Sequence, residues 1–222
     1  PYTYEGGNPY LKPTITNTLS YILVWKDLQT SVAYNMTKNL IAFVPALLSD
    51  EVVFFQPTNF PKTQNLYVSA VYSPKIRFWD PSLELNLSKN FYKLGNPLLT
   101  YNKPVLFTTL KNSFLFPKDF SVIVTCTYNT RGYNGIDYTY DFFCTDIYLS
   151  KLVFNKKLRI NIGAENIFNT EKQKSFLIMN CIETHKWKDA NTRNINISIS
   201  YNFNTARSKY KGEQASDELN RL

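Results

Sequence analysis

Few side chains in this sequence could do chemistry, and their spacing does not assemble them into a catalytic group. The single histidine, His185, lies in the polar stretch ETHKWKD. A Ser-His-Asp triad needs a histidine that a third group holds in place, and this stretch offers none. We therefore expect a solvated surface histidine in place of a catalytic base, and the sequence predicts no catalytic residues and no enzyme.

The three cysteines, Cys126, Cys144 and Cys181, lack the paired spacing of a metal site, and an odd number cannot be fully bridged within one chain. Cys126 and Cys144 fall on neighbouring predicted strands. The alternation of side chains places Cys126 on an apolar face and Cys144 on a polar one, which disfavours a disulfide between them. We expect no metal ligands and no cofactor.

The elements that position these residues are predicted strands with an alternating pattern. In RNINISISYNF, residues 193–203, apolar and polar side chains alternate from Asn194 to Phe203. Successive side chains on a strand point to opposite faces, so one face meets an apolar environment and the other meets water. The pattern recurs in about nine segments, most of them roughly 9 to 13 residues long. Soluble domains use shorter strands, whereas this length suits a tilted crossing of a bilayer.

Connections between these segments are alternately short and long. Short connections lie at 26–27, 73–81, 117–118 and 155–156, and long ones at 37–62, 91–103, 130–141 and 169–191. Outer-membrane barrels have this plan, with short periplasmic turns and long extracellular loops. Aromatic residues are concentrated at both ends of the predicted strands. Aromatic side chains are enriched in this way where a barrel meets the two membrane–water interfaces. We predict interface anchors next to the short turns, namely Trp25, Trp79, Phe116, Phe120 and Phe154, and a second belt near the long connections, namely Phe91, Tyr92, Tyr128, Phe142 and Phe168.

These patterns predict an all-β protein that forms an antiparallel transmembrane β-barrel. A strand edge inside lipid has to be paired, and bacterial barrels have even numbers of strands. We therefore expect this chain to supply about nine C-terminal strands of a larger barrel whose earlier strands precede Pro1. Residues 1–13 are predicted to be an extracellular loop entering the barrel, 14–203 the transmembrane segment, and 204–222 a periplasmic tail. A soluble β-sandwich would alternate in the same way and is the alternative fold.

Six residues on the predicted polar faces are candidates for the wall of a lumen: Glu84, Asn86, Asp146, Arg159, Asn161 and Glu165. Two interpretations stay open, because the wall could hydrogen-bond to water or a plug, or it could contact a solute. Arg159 is expected to pair with Glu165. The formal net charge of +8 comes from basic residues scattered over turns and strand ends. Without a basic helix, this pattern argues against nucleic acid and predicts a basic rim that faces water and anionic lipid headgroups.

The end of the last predicted strand carries two aromatic residues, Tyr201 and Phe203. A last strand with alternating hydrophobic residues and a final aromatic resembles the signal that the barrel-assembly machinery reads by strand addition. The alternative is that both rings are interface anchors.

Five stretches, taken together and in order, resemble the TonB-dependent receptor-like outer-membrane β-barrel proteins of the Bacteroidetes. They are GNPYLKP at 7–13, NSFLFPKDFSV at 112–122, LRINIGAENIFNT at 158–170, the closing SISYNF, and a polar tail ending in DELNRL. The similarity covers essentially the whole chain.

The resemblance implies a location in the bacterial outer membrane and uptake of a scarce solute. The implied partners are outer-membrane lipid, the barrel-assembly machinery, the solute, and a TonB complex acting on an N-terminal plug. The sequence shows no plug and no TonB-contacting segment, so these two partners apply only if such segments precede Pro1, and the alternative is that the protein lacks them. The alternatives are a passive structural or adhesive barrel and a soluble all-β binding module. No feature identifies the solute.

Overall fold

The computed structural model describes residues 2–49, 52–188 and 192–203, and this part of the chain contains sixteen strands and no helix. Accordingly, none of its elements is a helix long and apolar enough to cross a membrane. The strands are β1 (Tyr2–Glu5), β2 (Ile15–Trp25), β3 (Leu28–Ser49), β4 (Val52–Tyr72), β5 (Trp79–Asn90), β6 (Tyr92–Leu94), β7 (Leu99–Tyr101), β8 (Val105–Phe116), β9 (Phe120–Asn129), β10 (Gly132–Asn134), β11 (Asp137–Thr139), β12 (Phe142–Val153), β13 (Leu158–Glu165), β14 (Gln173–Met179), β15 (Ile182–Lys188) and β16 (Asn194–Tyr201).

Nine of these strands form one continuous meander in the order β2-β3-β4-β5-β8-β9-β12-β13-β16, and each pairs antiparallel with its neighbours. The short strand β1 joins the same sheet by pairing parallel with the start of β4. The predicted antiparallel all-β fold is therefore confirmed. Among the described residues the sheet is open, with β2 and β16 at its edges, and this agrees with part of a larger barrel.

The strand register separates an apolar face from a polar face. Between β13 and β16, Ile160 lies opposite Ile199, while Asn161 on the other face lies opposite Ser198. The apolar face is the one that carries Leu19, Val32, Val68, Leu85, Leu110, Val124, Ile147, Ile160 and Ile197. Ile197 and Ile199 are each 68% exposed, so no other described part of the chain covers the apolar face there. This continuous exposed apolar surface does not fit a soluble sandwich, in which a second sheet would cover it.

Short turns gather at one end of the sheet, which we call the short-turn end. Backbone hydrogen bonds tie each turn to a neighbouring strand or turn, as from Ser73 to the Asp27 carbonyl and from Leu152 to the Asp119 carbonyl. Lys26 and Arg77 have positive φ angles of 51° and 52°. A left-handed residue of this kind lets the chain reverse within very few residues.

At the opposite, long-connection end, the segment 37–62 is not a loop. The strands β3 and β4 continue through it as a twisted ribbon and pair almost without interruption up to Ser49 and Val52. The prediction of a loop was wrong because the alternation changes phase at Asn39, whose φ angle is 54°. Lys38 is exposed, whereas Leu40, two residues later, packs against a buried cluster.

The other long connections also fold into hairpins, which together form a cap at the long-connection end. The strands β10, β11, β14 and β15 form a four-stranded sheet, and β6 pairs with β7. Tyr101, Leu177 and Met179 are almost fully buried in the cap core, where Val44 and Phe60 of the ribbon also pack. The main buried cluster of the described residues thus lies in the cap and not between two sheets.

The structure adds detail to the predicted segment 1–13, and the predicted tail remains a prediction. Residues 1–13 include the strand β1, and Asn8 of the GNPYLKP motif donates a hydrogen bond to the Pro57 carbonyl at 3.0 Å. This contact ties the segment to the ribbon. The predicted tail, 204–222, lies outside the described residues.

Candidate functional site

The polar face carries all six residues predicted to line a lumen. Glu84 and Asn86 lie on β5, opposite Val71 and Ser69 of β4. The Asn86 amide donates to a Glu84 carboxylate oxygen at 2.7 Å. A cavity of about 370 Å³ opens beside Asn86 and is lined also by Tyr67 and Asn129. This part of the wall presents amide, hydroxyl and carboxylate groups to the space in front of the sheet.

Asn161 on β13 joins the polar side chains of three strands. It accepts a hydrogen bond from the Ser150 hydroxyl of β12 at 2.7 Å and donates to Ser198 of β16 at 3.1 Å. Arg159 lies on the same face, opposite Leu152 and Ser200. Polar side chains that contact one another across neighbouring strands are typical of a polar, water-filled barrel interior.

The expected pair between Arg159 and Glu165 does not form. The two residues are six positions apart on one strand, so about 20 Å of extended backbone separates them. The phenol of Tyr148 instead donates to a Glu165 carboxylate oxygen at 2.7 Å. Nearby, Asp146 accepts a hydrogen bond from the backbone N–H of Asn166 at 2.8 Å.

These acidic groups border a cavity along the sheet wall, with a volume of about 540 Å³. Asp146, Glu165 and Glu171 contribute three carboxylates to its lining, and Tyr148 contributes a phenol. Carboxylate oxygens accept hydrogen bonds from hydroxyl and ammonium groups. The cavity is therefore suited to hold polar, hydrogen-bond-donating groups of a small molecule.

Sequence reasoning missed the organising role of Asn166. Its side chain is almost completely buried, accepts hydrogen bonds from the backbone N–H groups of Thr170 and Glu171, and donates to Thr192 at 2.7 Å. A φ angle of 45° allows this turn, and asparagine tolerates that conformation better than most residues. The signal was present in ENIFNT, the last part of the third similar stretch.

The cap contributes a second feature that the sequence did not predict, a ladder of neighbouring aromatic rings. Ring centroids lie 5.3 Å apart between Tyr101 and Tyr133, 5.1 Å apart between Tyr133 and Tyr138, and 4.8 Å apart between Tyr138 and Phe176. The ladder continues through His185 to Trp187, which is 77% exposed. These residues come from five separate strands, so no local pattern could have grouped them.

Tyr101 anchors the inner end of this aromatic ladder. Its hydroxyl donates to the Ile178 carbonyl at 2.6 Å, and burial together with the nearby Tyr133 raises the pKa of the Tyr101 phenol to about 12. The phenol is therefore neutral at physiological pH. A further cavity, of about 660 Å³, lies between the cap and the β3–β4 ribbon.

His185 lies on β15 and not in a loop. Its Nε2 atom is 3.0 Å from a Glu183 carboxylate oxygen, and both side chains are about half exposed. The environment is that of a surface histidine with a local acidic neighbour.

An aromatic belt follows the apolar face at the short-turn end. Trp79 stacks on Phe114, Phe114 on Phe116, and Phe116 on Phe120, with centroids 5.8 to 6.4 Å apart. Trp25 and Phe154 are exposed at the same end. The sequence did not place Phe114 in this belt because β8 carries hydrophobic residues on both faces.

The second predicted belt, near the long connections, is only partly formed. Tyr92 is buried in the cap core, and Phe142 lines cavities on the polar face. Tyr128 lies on the apolar face, and Phe91 and Phe168 are exposed. Folding of the long connections into a cap explains why Tyr92 turns inward, and the register of β12 with β9, which pairs Phe142 with Asn129, places Phe142 on the polar face.

Tyr201 ends β16 on the apolar face, and its ring lies 4.7 Å from that of Phe203 in an edge-to-face arrangement. The outer edge of β16 has no partner strand among the described residues. The cysteines are all free thiols, and the register places Cys126 and Cys144 on opposite faces.

Comparison with known proteins identifies the family. A family model described as "Outer membrane protein beta-barrel family" matches residues 1–201. Neither a curated protein nor a solved structure shows significant similarity to the chain. The match spans every strand of the described sheet and cap.

Proposed function

Because the chain belongs to the outer membrane protein beta-barrel family and resides in the bacterial outer membrane, we propose that it imports a scarce solute. Specifically, it would form the C-terminal barrel portion of a TonB-dependent receptor-like transporter of the Bacteroidetes type. The motif resemblance supports the transporter class. The long-connection end, with its cap, then faces the outside, and the short-turn end faces the periplasm.

The observation that carries the proposal is the row of cavities along the polar face beneath a folded cap. Barrels with a purely structural role need only an apolar outside. Here the cap has its own buried core, and the wall beneath it offers a cavity lined by Asp146, Glu165 and Glu171. We infer that the cap admits the solute and that the wall contacts it. Binding and passage require no bond to be made or broken, so the proposal includes no enzymatic step.

The transporter proposal also requires a plug that occupies the barrel and receives energy from the TonB complex. We propose that segments outside this sequence supply the plug and the strands that close the barrel. Glu84, Asn86 and Asn161 would then serve as hydrogen-bonding partners for the plug or for the water around it.

Site-specific photo-crosslinking tests the plug directly. A photoreactive amino acid that replaces Asn86 points into the barrel interior. When it replaces the adjacent Leu87 instead, it points outward. In the intact protein in outer membranes, we expect the Asn86 position to crosslink to an N-terminal segment of the same polypeptide and the Leu87 position to crosslink only to lipid. Absence of any internal crosslink from Asn86 would argue against a plug.

Transport itself is tested in cells and in planar bilayers. Uptake of the relevant solute from a panel of iron chelates, glycans and peptides should stop when the TonB complex is inactivated. In a planar bilayer the purified protein should show no steady ion conductance. An open channel together with TonB-independent uptake would contradict the proposal and favour a passive barrel.

A further inference from the structure

Three lysines form a cluster at the boundary between the apolar face and the cap. Lys38 on β3 lies directly opposite Lys62 on β4, and both side chains are exposed. Lys12 is exposed at a neighbouring position, where its backbone N–H donates to Asn59 at 2.7 Å and its carbonyl accepts from the Asn59 amide. Three adjacent segments thus place three exposed lysines at neighbouring backbone positions, and we call Lys12, Lys38 and Lys62 the lysine cluster.

This arrangement is unfavourable for the protein alone. Like charges directly opposite each other on neighbouring strands destabilise a sheet. Within residues 2–49, 52–188 and 192–203, no carboxylate forms an ion pair with any of the three lysines, whereas Lys156, Lys186 and Arg131 each have one. An anion that binds to the lysine cluster from the surroundings would remove the repulsion between the positive charges.

The position of the lysine cluster matches the edge of a membrane. On β3, ten residue steps separate Lys38 from Leu28, which follows the turn at the short-turn end. Ten steps cover about 34 Å along a strand. A strand tilt of about 40° reduces this to a height of about 26 Å, close to the roughly 25 Å apolar band of outer-membrane barrels. Met36, Tyr34 and Val32 occupy the apolar face within this interval.

The phase change at Asn39 reinforces this boundary. Beyond it, Leu40, Ala42 and Val44 turn toward the cap core, while Ile41 and Phe43 take the exposed side, so the run of alternating apolar residues that continues from the short-turn end of β3 is interrupted at Lys38. The lysine cluster therefore lies where lipid headgroups meet the barrel, on the side of the long connections. In the bacterial outer membrane this side contains lipopolysaccharide, whose lipid A headgroup carries phosphates.

We propose that Lys12, Lys38 and Lys62 form a binding site for the lipid A phosphates of lipopolysaccharide. Each lysine near an anionic membrane surface contributes about fivefold to binding. The proposal rests on the outer-membrane location and is independent of solute transport.

Native mass spectrometry of the intact protein in detergent tests the site. Diphosphoryl lipid A should bind at least thirtyfold more tightly than fully dephosphorylated lipid A with the same acyl chains. The double variant K38Q/K62Q should weaken binding of the diphosphoryl form by about thirtyfold and leave the dephosphorylated form unaffected. Equal binding of both lipids by the unaltered protein would overturn the proposal.

Two control variants separate charge from structure and position. K38R/K62R keeps both charges and should retain the preference. K75Q/K157Q removes two exposed lysines at the short-turn end and should bind diphosphoryl lipid A as the unaltered protein does. Heat-modifiable migration confirms that each variant is folded. Loss of the preference in K38R/K62R or in K75Q/K157Q would contradict the assignment, as would full displacement by millimolar inorganic phosphate, which would indicate a site for the free ion.

Discussion

At the scale of single residues, close contacts on the polar face explain why certain side chains occupy their positions. Gly163 lies opposite both Tyr148 and Asn196. A Cβ atom at this position would lie 2.7 Å from Asn196 Oδ1 and 2.9 Å from Tyr148 Cδ1. The absent side chain makes room for the Tyr148 ring, which places its hydroxyl against Glu165.

Replacing Gly163 with alanine should therefore destabilise the barrel by about 1–3 kcal/mol, because the Tyr148 ring or the Asn196 amide must move. Guanidinium unfolding of the protein in detergent micelles measures the change. Gly7→Ala is the matched control, since nothing lies within 4 Å of its added Cβ atom. Equal midpoints for Gly163→Ala and the unaltered protein would show that the contact is not tight.

The edge of β16 suggests a test of the terminal aromatic pair. If Phe203 is part of an assembly signal read by strand addition, Phe203→Asp should reduce the folded protein in the outer membrane several-fold. Phe154→Asp removes another exposed ring near the short-turn end and should have a smaller effect. Membrane fractionation with heat-modifiable migration measures both. Similar losses in the two variants would mean that Phe203 is only an interface anchor.

At the scale of secondary structure, the two faces of a strand should tolerate charge very differently. Leu19 and Ser20 are adjacent and exposed on β2, and they point to opposite faces. Leu19→Lys places a charge near the middle of the apolar band and should cost about 2–4 kcal/mol, whereas Ser20→Lys on the polar face should cost much less. Unfolding in micelles or vesicles gives both values, and equal costs would argue against lipid contact.

The cap should behave as a unit with its own stability. Leu177 is 2% exposed in the cap core, while the adjacent Ile178 is 37% exposed. Leu177→Ala should lower the free energy of cap opening by about 2–5 kcal/mol, and Ile178→Ala should have little effect. Hydrogen exchange should then accelerate in β14 and β15 without a change in β9 and β12. Uniform acceleration throughout the sheet would show that cap and barrel unfold together.

The sequence predicted the strands of the sheet well and the cap poorly, for a physical reason. A strand with one face in water and the other in an apolar environment alternates polar and apolar residues within its own sequence. This local pattern is enough to predict β5, β9 and β16 and the face on which each of their side chains lies. The cap core forms between segments far apart in the chain, such as Tyr101 and Leu177. The phase change at Asn39 and the buried turn at Asn166 depend on backbone conformations that alternation does not report.

The candidate site shows the same division. All six predicted wall residues lie on the polar face, because assigning a face needs only the alternation of side chains along a single strand. Their partners were not predictable, since the bond from Tyr148 to Glu165 and the contact of Asn166 with Asp146 depend on register between strands.

At the scale of the whole molecule, the features form one consistent arrangement along the membrane normal. Aromatic rings lie at the short-turn end, and the apolar face spans the middle of the sheet. The lysine cluster lies at the opposite boundary of the apolar face, and the cap lies beyond the lysine cluster. The polar face lines cavities beneath the cap. The central claim is that the apolar face meets acyl chains directly.

Nitroxide scanning tests this claim most directly. Single labels are placed at Ser121, Val122, Leu149 and Ser150 in a background with all three cysteines replaced by alanine, and collision rates with oxygen and with a water-soluble nickel chelate are measured in bilayers. We predict high oxygen and low nickel access at Val122 and Leu149, and the reverse at Ser121 and Ser150. Nickel access at Val122 and Leu149, or exclusion of both reagents there by a second protein layer, would contradict the account.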